Sequence, residues 1–203
     1  MGGAYVSRRL PAHMHDLPST LGDRRRIDAL RAAGLLTDSP EEAFDRFTRL
    51  AATIVDAPIA LFTVITENEQ QFRSQFGLAE PLATERRTPI SHSFCQYVVL
   101  SSAPLEVTDA REHPTVRGNP AIEEMEVIAY LGVPLITRKG ETLGSLCAID
   151  HEPREWRERD RLVLKDLAAA TVTEVELRRT AREAVELAGR LEGELRDLRK
   201  ARV

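Results

Sequence analysis

The chain has little cysteine: two residues in 203. That number excludes a disulfide framework. Long hydrophobic runs are missing too. No apolar stretch approaches the roughly 20 residues that cross a bilayer, and residues 1–18 lack the continuous apolar core of a secretory signal. A cytoplasmic location with no membrane association is therefore expected, and there Cys95 and Cys147 are reduced thiols. Positive charge is not in excess, since 28 Lys and Arg against 32 Asp and Glu leave a net charge of −4. This balance argues against a nucleic-acid partner held by phosphate neutralisation. The basic runs at 24–26 and 199–202 read as solvated surface. No Cys/His cluster has a zinc spacing and no HExxH occurs, so no metal and no cofactor are expected. His13 and His15 would need outside partners, and only the fold could bring His92 and His113 together.

What is present suits one domain with extensions, because 203 residues and 42% apolar content supply a real core. Residues 1–20 lack periodicity and are read as a disordered N-terminal segment. Ile27, Leu30 and Ala33 share a face of a first helix over 23–33, with Gly34 as its stop and the chain's other terminal helix as its neighbour. Ser39 can cap a second helix with Pro40 in its first position, and Phe44, Phe47, Leu50, Ala51 and Ile54 form its apolar stripe. Residues 58–65 are continuously apolar, and Glu67-Asn68-Glu69 turns them back into 70–76, a first β-hairpin. The run 127–150 is a second hairpin across Arg138-Lys139-Gly140, apolar on both sides and hence set in the middle of a sheet. Between them, Ser91 or Ser93 can cap a short helix starting near Phe94, whose N-terminus could accept an anion or carbonyl or simply be closed by the serine. Cys95 and Cys147 are read either as core residues or as reactive thiols, with Cys95 the more reactive if the helix N-terminus lowers its pKa. Asp109, Arg111 and His113 fall in a loop, where binding groups are usually displayed, and Asp109 can cap a short helix there. The segment 119–125, with Pro120, Ile122 and Met125, forms the remaining cover.

AYLGVPL followed by GSLCAID resembles the last two sheet strands of GAF domains from bacterial signalling proteins. RIDALRAAGLLTDSPEEAFDRFTRLAA, PIALFTVITENEQQFRSQFGL, ISHSFCQYVV and LEVTDAREHP resemble, in order, the helix, first hairpin, pocket helix and pocket loop of that family. The resemblance spans about residues 25–178. It implies an α+β fold, a central antiparallel sheet flanked by helices, with the GAF sensor domain over 21–178. It also implies a ligand cavity between the sheet and its pocket helices. Phe62, Phe72, Ser93, Phe94, Cys95, Tyr97, Asp109, Arg111, His113, Tyr130 and Cys147 are the ligand-binding candidates, and no catalytic residue is expected. Two other classes share the fold. Free methionine sulfoxide reductases use pocket cysteines, and Cys95 falls near one of their positions, but their other cysteine motifs are absent. Bilin photosensors attach a chromophore through cysteine, yet the Cys-His pair and the chromophore-binding insertion are missing. The NKxnFxxxDE pattern of cyclic-nucleotide GAF domains is absent as well.

From Trp156 the chain has no proline and two glycines, and its Leu, Ala, Glu and Arg composition predicts one long helix over 157–203. Val163, Leu167, Ala170, Glu174, Leu177, Ala181, Ala184, Ala188, Leu191, Leu195 and Leu198 follow alternating four- and three-residue steps, the seam of a left-handed coiled coil. The expected protein is a small-molecule sensor and homodimer that biases a helical stalk. The resemblance implies a downstream histidine kinase, cyclic-dinucleotide enzyme or phosphatase.

Overall fold

The computed structural model describes residues 21–37 and 41–200. The disorder expected of 1–20 and the Ser39 and Pro40 cap lie outside the described residues. Six strands form one sheet: β1 (Ile59–Ile65), β2 (Glu69–Phe76), β3 (Arg87–Pro89), β4 (Leu105–Val107), β5 (Ala129–Ile136) and β6 (Thr142–Asp150), in spatial order β3-β2-β1-β6-β5-β4. Both expected hairpins form. They join where β1 pairs antiparallel with β6, from Ile59 opposite Ile149 to Val64 opposite Gly144. Gly144 is required at that crossing, because a Cβ there would run into the Thr63 carbonyl. Gly140 closes the second hairpin at φ +89, a conformation glycine adopts without strain.

Helices α1 (Arg24–Ala32) and α2 (Glu42–Val55) pack on one sheet face together with the first part of α6 (Glu158–Lys200). The Asp23 carboxylate caps α1 by accepting the Arg26 amide at 3.0 Å. Gly34, at φ +67, ends it, and the Leu35 amide reaches back to the Leu30 carbonyl. The expected neighbour of α1 is in place, for the Arg182 guanidinium donates to the Ala33 carbonyl at 2.9 Å. Helix α2 begins at Glu42, and its flanking residue Glu41 makes no side-chain cap. Its inward face carries Phe44, Thr48, Ala51, Ala52 and Val55. Leu50, expected inside, is 39% exposed, since the helix rolls by about one position to seat Thr48 against Ser74 on β2, 2.7 Å between hydroxyls.

In α6 the buried stripe is Leu164, Ala168, Thr171 and Val175. The stripe expected from Val163, Leu167, Ala170 and Glu174 lies one residue off this seam and is half-buried at its edge. From Ala181 to Glu192 every residue is exposed, and the Arg182 bond to the Ala33 carbonyl ties this stretch to the domain at its start. Leu177 and Leu191 are exposed, and the side chains of Leu195 and Leu198 lie outside those described. Among the described residues no helix is long and apolar enough to cross a membrane.

The opposite sheet face is covered by α4 (Cys95–Ser101), α5 (Ala121–Glu124) and the turns between them, while the short α3 (Leu82–Glu85) follows β2. No helix forms at Asp109. Instead its carboxylate accepts the Arg111 amide at 3.0 Å and holds a turn.

Candidate functional site

Alternation along β1 decides what the second face can contain. Ile59, Leu61 and Ile65 point toward α4, whereas Ala60, Phe62 and Val64 point toward α1, α2 and α6. Phe62 is therefore a correction: it does not line the expected cavity. Its ring meets Phe44 edge-on at 5.0 Å in the helix-side core. Phe72, Phe94, Cys95, Tyr130 and Cys147 do share the α4 side, with Tyr97 half-buried at its margin. They pack into one cluster, and the Phe94 and Tyr130 rings are 5.5 Å apart. Ile122 and Met125 join its edge, and Ala121 is the buried residue of α5. Open clefts lie elsewhere, including one of about 400 Å³ between Arg24, Ile27, Arg31, Glu67 and Asn68.

Inside this apolar cluster lies a polar island. The Cys95 and Cys147 sulfurs are 3.8 Å apart, and both residues are buried. The Tyr130 hydroxyl donates to Cys95 Sγ at 3.2 Å and lies 3.3 Å from Ser145 Oγ. Thr63 Oγ1 donates to the Ser145 carbonyl at 3.3 Å. Burial alone pushes the Cys95 thiol up, but the polar groups around its sulfur, Cys147 and the Tyr130 hydroxyl among them, outweigh it and bring Cys95 down to about 7. Burial and the adjoining Cys95 push Cys147 well above the ordinary thiol value. Tyr130 is raised well above 10 by burial and the neighbouring sulfurs, so its hydroxyl keeps its proton and remains a donor. Gly132 makes this arrangement possible, since a Cβ on it would run into the Tyr130 hydroxyl. Sequence reasoning missed Gly132, Thr63 and Ser145. A lone Thr in an otherwise apolar IALFTVI strand was the signal available.

The N-terminus of α4 is closed from within. Ser93 Oγ accepts the Gln96 amide at 3.0 Å and donates to Gln70 Oε1, and Gln96 Nε2 donates to the Ile90 and Ser93 carbonyls at 2.8 and 2.7 Å. Ser93 thus caps the helix, as one of the two expected serines, while Ser91 pairs with His92 Nδ1 instead. At the rim the Asp109 carboxylate is engaged by the Arg111 guanidinium, 2.8 Å to Nε, which lowers its pKa. His113 Nδ1 accepts the Thr115 amide at 3.3 Å, and partial burial lowers the pKa of the ring. His92 lies against Glu124 at 3.1 Å, so the two histidines serve separate local contacts.

A six-stranded antiparallel sheet with a helical layer on one face and a short pocket helix on the other defines a sensor-type α+β domain. The chain belongs to the GAF domain family, whose model matches residues 39–175. It is 37% identical over 144 residues to a cyclic di-GMP phosphodiesterase of Pseudomonas aeruginosa, covering 70% of this chain and 24% of that protein. The chain thus spans about a quarter of the curated relative it matches. The GAF domain of a phosphoenolpyruvate-protein phosphotransferase from Coxiella burnetii superposes with a TM-score of 0.59 at 19% identity, covering 83% of this chain and 98% of that one. The free methionine-R-sulfoxide reductase of Neisseria meningitidis gives 0.56 at 16% identity, covering 75% and 89%. These two likenesses share the fold alone.

Proposed function

We propose that the protein is a regulatory, non-catalytic GAF sensor that works in the cytoplasm as a homodimer, passing the state of its pocket face to an effector through α6. The observation that carries this reading is the double use of one helix. Its first turns are a wall of the domain, through Leu164, Ala168, Thr171 and Val175, and its later turns are fully exposed yet still carry Leu177, Ala181, Ala184, Ala188 and Leu191 on one stripe. A solvated helix gains nothing from such a stripe, whereas a second copy would cover it. The ion pair between Arg178 and Glu41, extended to Arg73, ties the base of the stalk to α2 and β2. Arg178 also lies 4.8 Å from the centre of the Phe44 ring. A change in the domain therefore has a direct mechanical path to the stalk.

A small-molecule ligand would enter by displacing side chains of the packed cluster, with Phe72, Ser93, Phe94, Cys95, Tyr97, Tyr130 and Cys147 as its walls and Asp109, Arg111 and His113 at the rim. It acts only to the extent that it binds one stalk arrangement more tightly than the other. The phosphodiesterase relative supports a cyclic-dinucleotide enzyme as the effector class. The test is the solution mass of the chain beside a Leu177→Glu/Leu191→Glu variant, by light scattering. A dimer that becomes a folded monomer supports the reading, and a wild-type monomer ends it. Native mass spectrometry of the same sample reads any bound small molecule directly.

A further inference from the structure

The polar island beneath α4 is costly for a mere core. A buried hydroxyl must find a partner, and the Tyr130 hydroxyl is directed at a sulfur. A neutral thiol is a weak acceptor, but a thiolate is a strong, charge-assisted one. The donors therefore favour one ionised sulfur at Cys95, with the second thiol 3.8 Å away on a different element. We infer that Cys95 and Cys147 form a peroxide-oxidisable dithiol, with Cys95 attacking the oxidant and Cys147 resolving it into an intramolecular disulfide.

In the first step the Cys95 thiolate attacks one oxygen of a small hydroperoxide. The S–O bond forms, the O–O bond breaks, and the departing alkoxide or hydroxide takes up a proton. This leaves Cys95 as a sulfenic acid. Cys147 then attacks that sulfur: the S–S bond forms, the S–OH bond breaks, and the hydroxide leaves as water with the Cys147 proton. Overall two thiols are oxidised, and one hydroperoxide is reduced to an alcohol, or to water from hydrogen peroxide, with one further water released. Burial selects the oxidant, since Cys95 is 2% and Cys147 0% exposed. A molecule the size of hydrogen peroxide needs a smaller opening to reach them than a bulky disulfide does.

Closure has a structural consequence. A disulfide holds its sulfurs at about 2.05 Å, so they must approach by roughly 2 Å. Cys147 is fixed on β6, hydrogen-bonded on both sides by β1 and β5. Cys95 opens the seven-residue α4, which lies on the sheet without being part of it. The short helix is the element that moves, and Tyr130 loses its sulfur partner as it does so. The dithiol stands apart from the stalk reading, since the bond can form whether or not α6 responds to it.

The 203-residue chain, reduced and freed of reductant, is treated with hydrogen peroxide, then denatured and alkylated for intact-mass and non-reducing peptide analysis. The expected result is a loss of two hydrogens, one peptide pair joined through Cys95 and Cys147, and full reversal by dithiothreitol. Cys147→Ser leaves a Cys95 sulfenic acid that dimedone captures, while Cys95→Ser leaves Cys147 unmodified. The wild-type mass result stands even where a variant fails to fold. Two fully alkylated thiols after peroxide, a disulfide only between chains, or stepwise over-oxidation without the joined peptide would each overturn the proposal. The solution mass of the oxidised and reduced forms separately reads whether the bond alters the stalk.

Discussion

The two faces of the sheet are packed to different ends. On the helix side, Leu30, Phe44, Phe62, Leu131, Leu146 and Leu164 make a mainly apolar core, whose buried hydroxyls are closed in local bonds, Thr48 with Ser74 and Thr171 with the Leu167 carbonyl. On the α4 side the cluster closes over two thiols and three hydroxyls. An apolar core gains from every contact and loses from any change of volume. A core with hydrogen-bonded polar atoms at its centre has a second arrangement within reach, because those atoms can change partner, protonation or covalent state. The proposed ligand and redox states would both act on the α4 side.

This contrast can be broken by measurement. The largest effect is expected from Phe62→Ala, which removes a ring packed edge-on against Phe44 and should cost about 3–5 kcal/mol in urea unfolding. Phe94→Ala should cost less and admit small apolar molecules. Equal costs, with no gain of binding, would mean that the faces do not differ. Next comes Tyr130→Phe, which keeps the ring and deletes the hydroxyl, at a cost of about 1 kcal/mol. It removes a donor that favours the Cys95 thiolate, so the Cys95 pKa should rise above about 7 and alkylation at neutral pH should slow. An unchanged pH profile would disconnect Tyr130 from the thiol. The smallest effect belongs to His113. Its folded pKa is lowered, so the unfolded chain takes up the proton first as pH falls. Stability tied to this ring should be intact above its ordinary value and decline as pH drops through it, a decline that His113→Ala abolishes in pH-dependent melting curves.

Much of this arrangement was legible in the sequence, for identifiable reasons. Both hairpins announced themselves through apolar runs broken by Glu67-Asn68-Glu69 and Arg138-Lys139-Gly140, and Gly34 marked the end of α1. What was not legible was phase. In β1 every residue is buried, so alternation could not say whether Leu61 or Phe62 faced the pocket. In α6 the Ala-rich stretch 168–170 lets neighbouring stripes pass for the seam, and tertiary packing chose the one through Leu164 and Ala168. The strand β3 was missed because three residues carry no period, and Gly132 because its role depends on where the Tyr130 side chain lies. The cysteines were singled out from the motifs around them, but their distance of 3.8 Å follows only from the pairing of β6 with β1 and β5 and the docking of α4.

The meeting of β1 with β6 also sets the order in which the chain can assemble. Each hairpin is local, but the sheet's central seam joins Ile59 to Ile149, and the chain between them must close as one long loop. Such distant pairing slows folding relative to helices and hairpins. During synthesis the first hairpin and its helices can form early, yet their sheet edge stays open until residues 142–150 have been made. For that interval β1 is an unpaired edge, apolar but for Thr63, the kind of surface that invites contact with other chains.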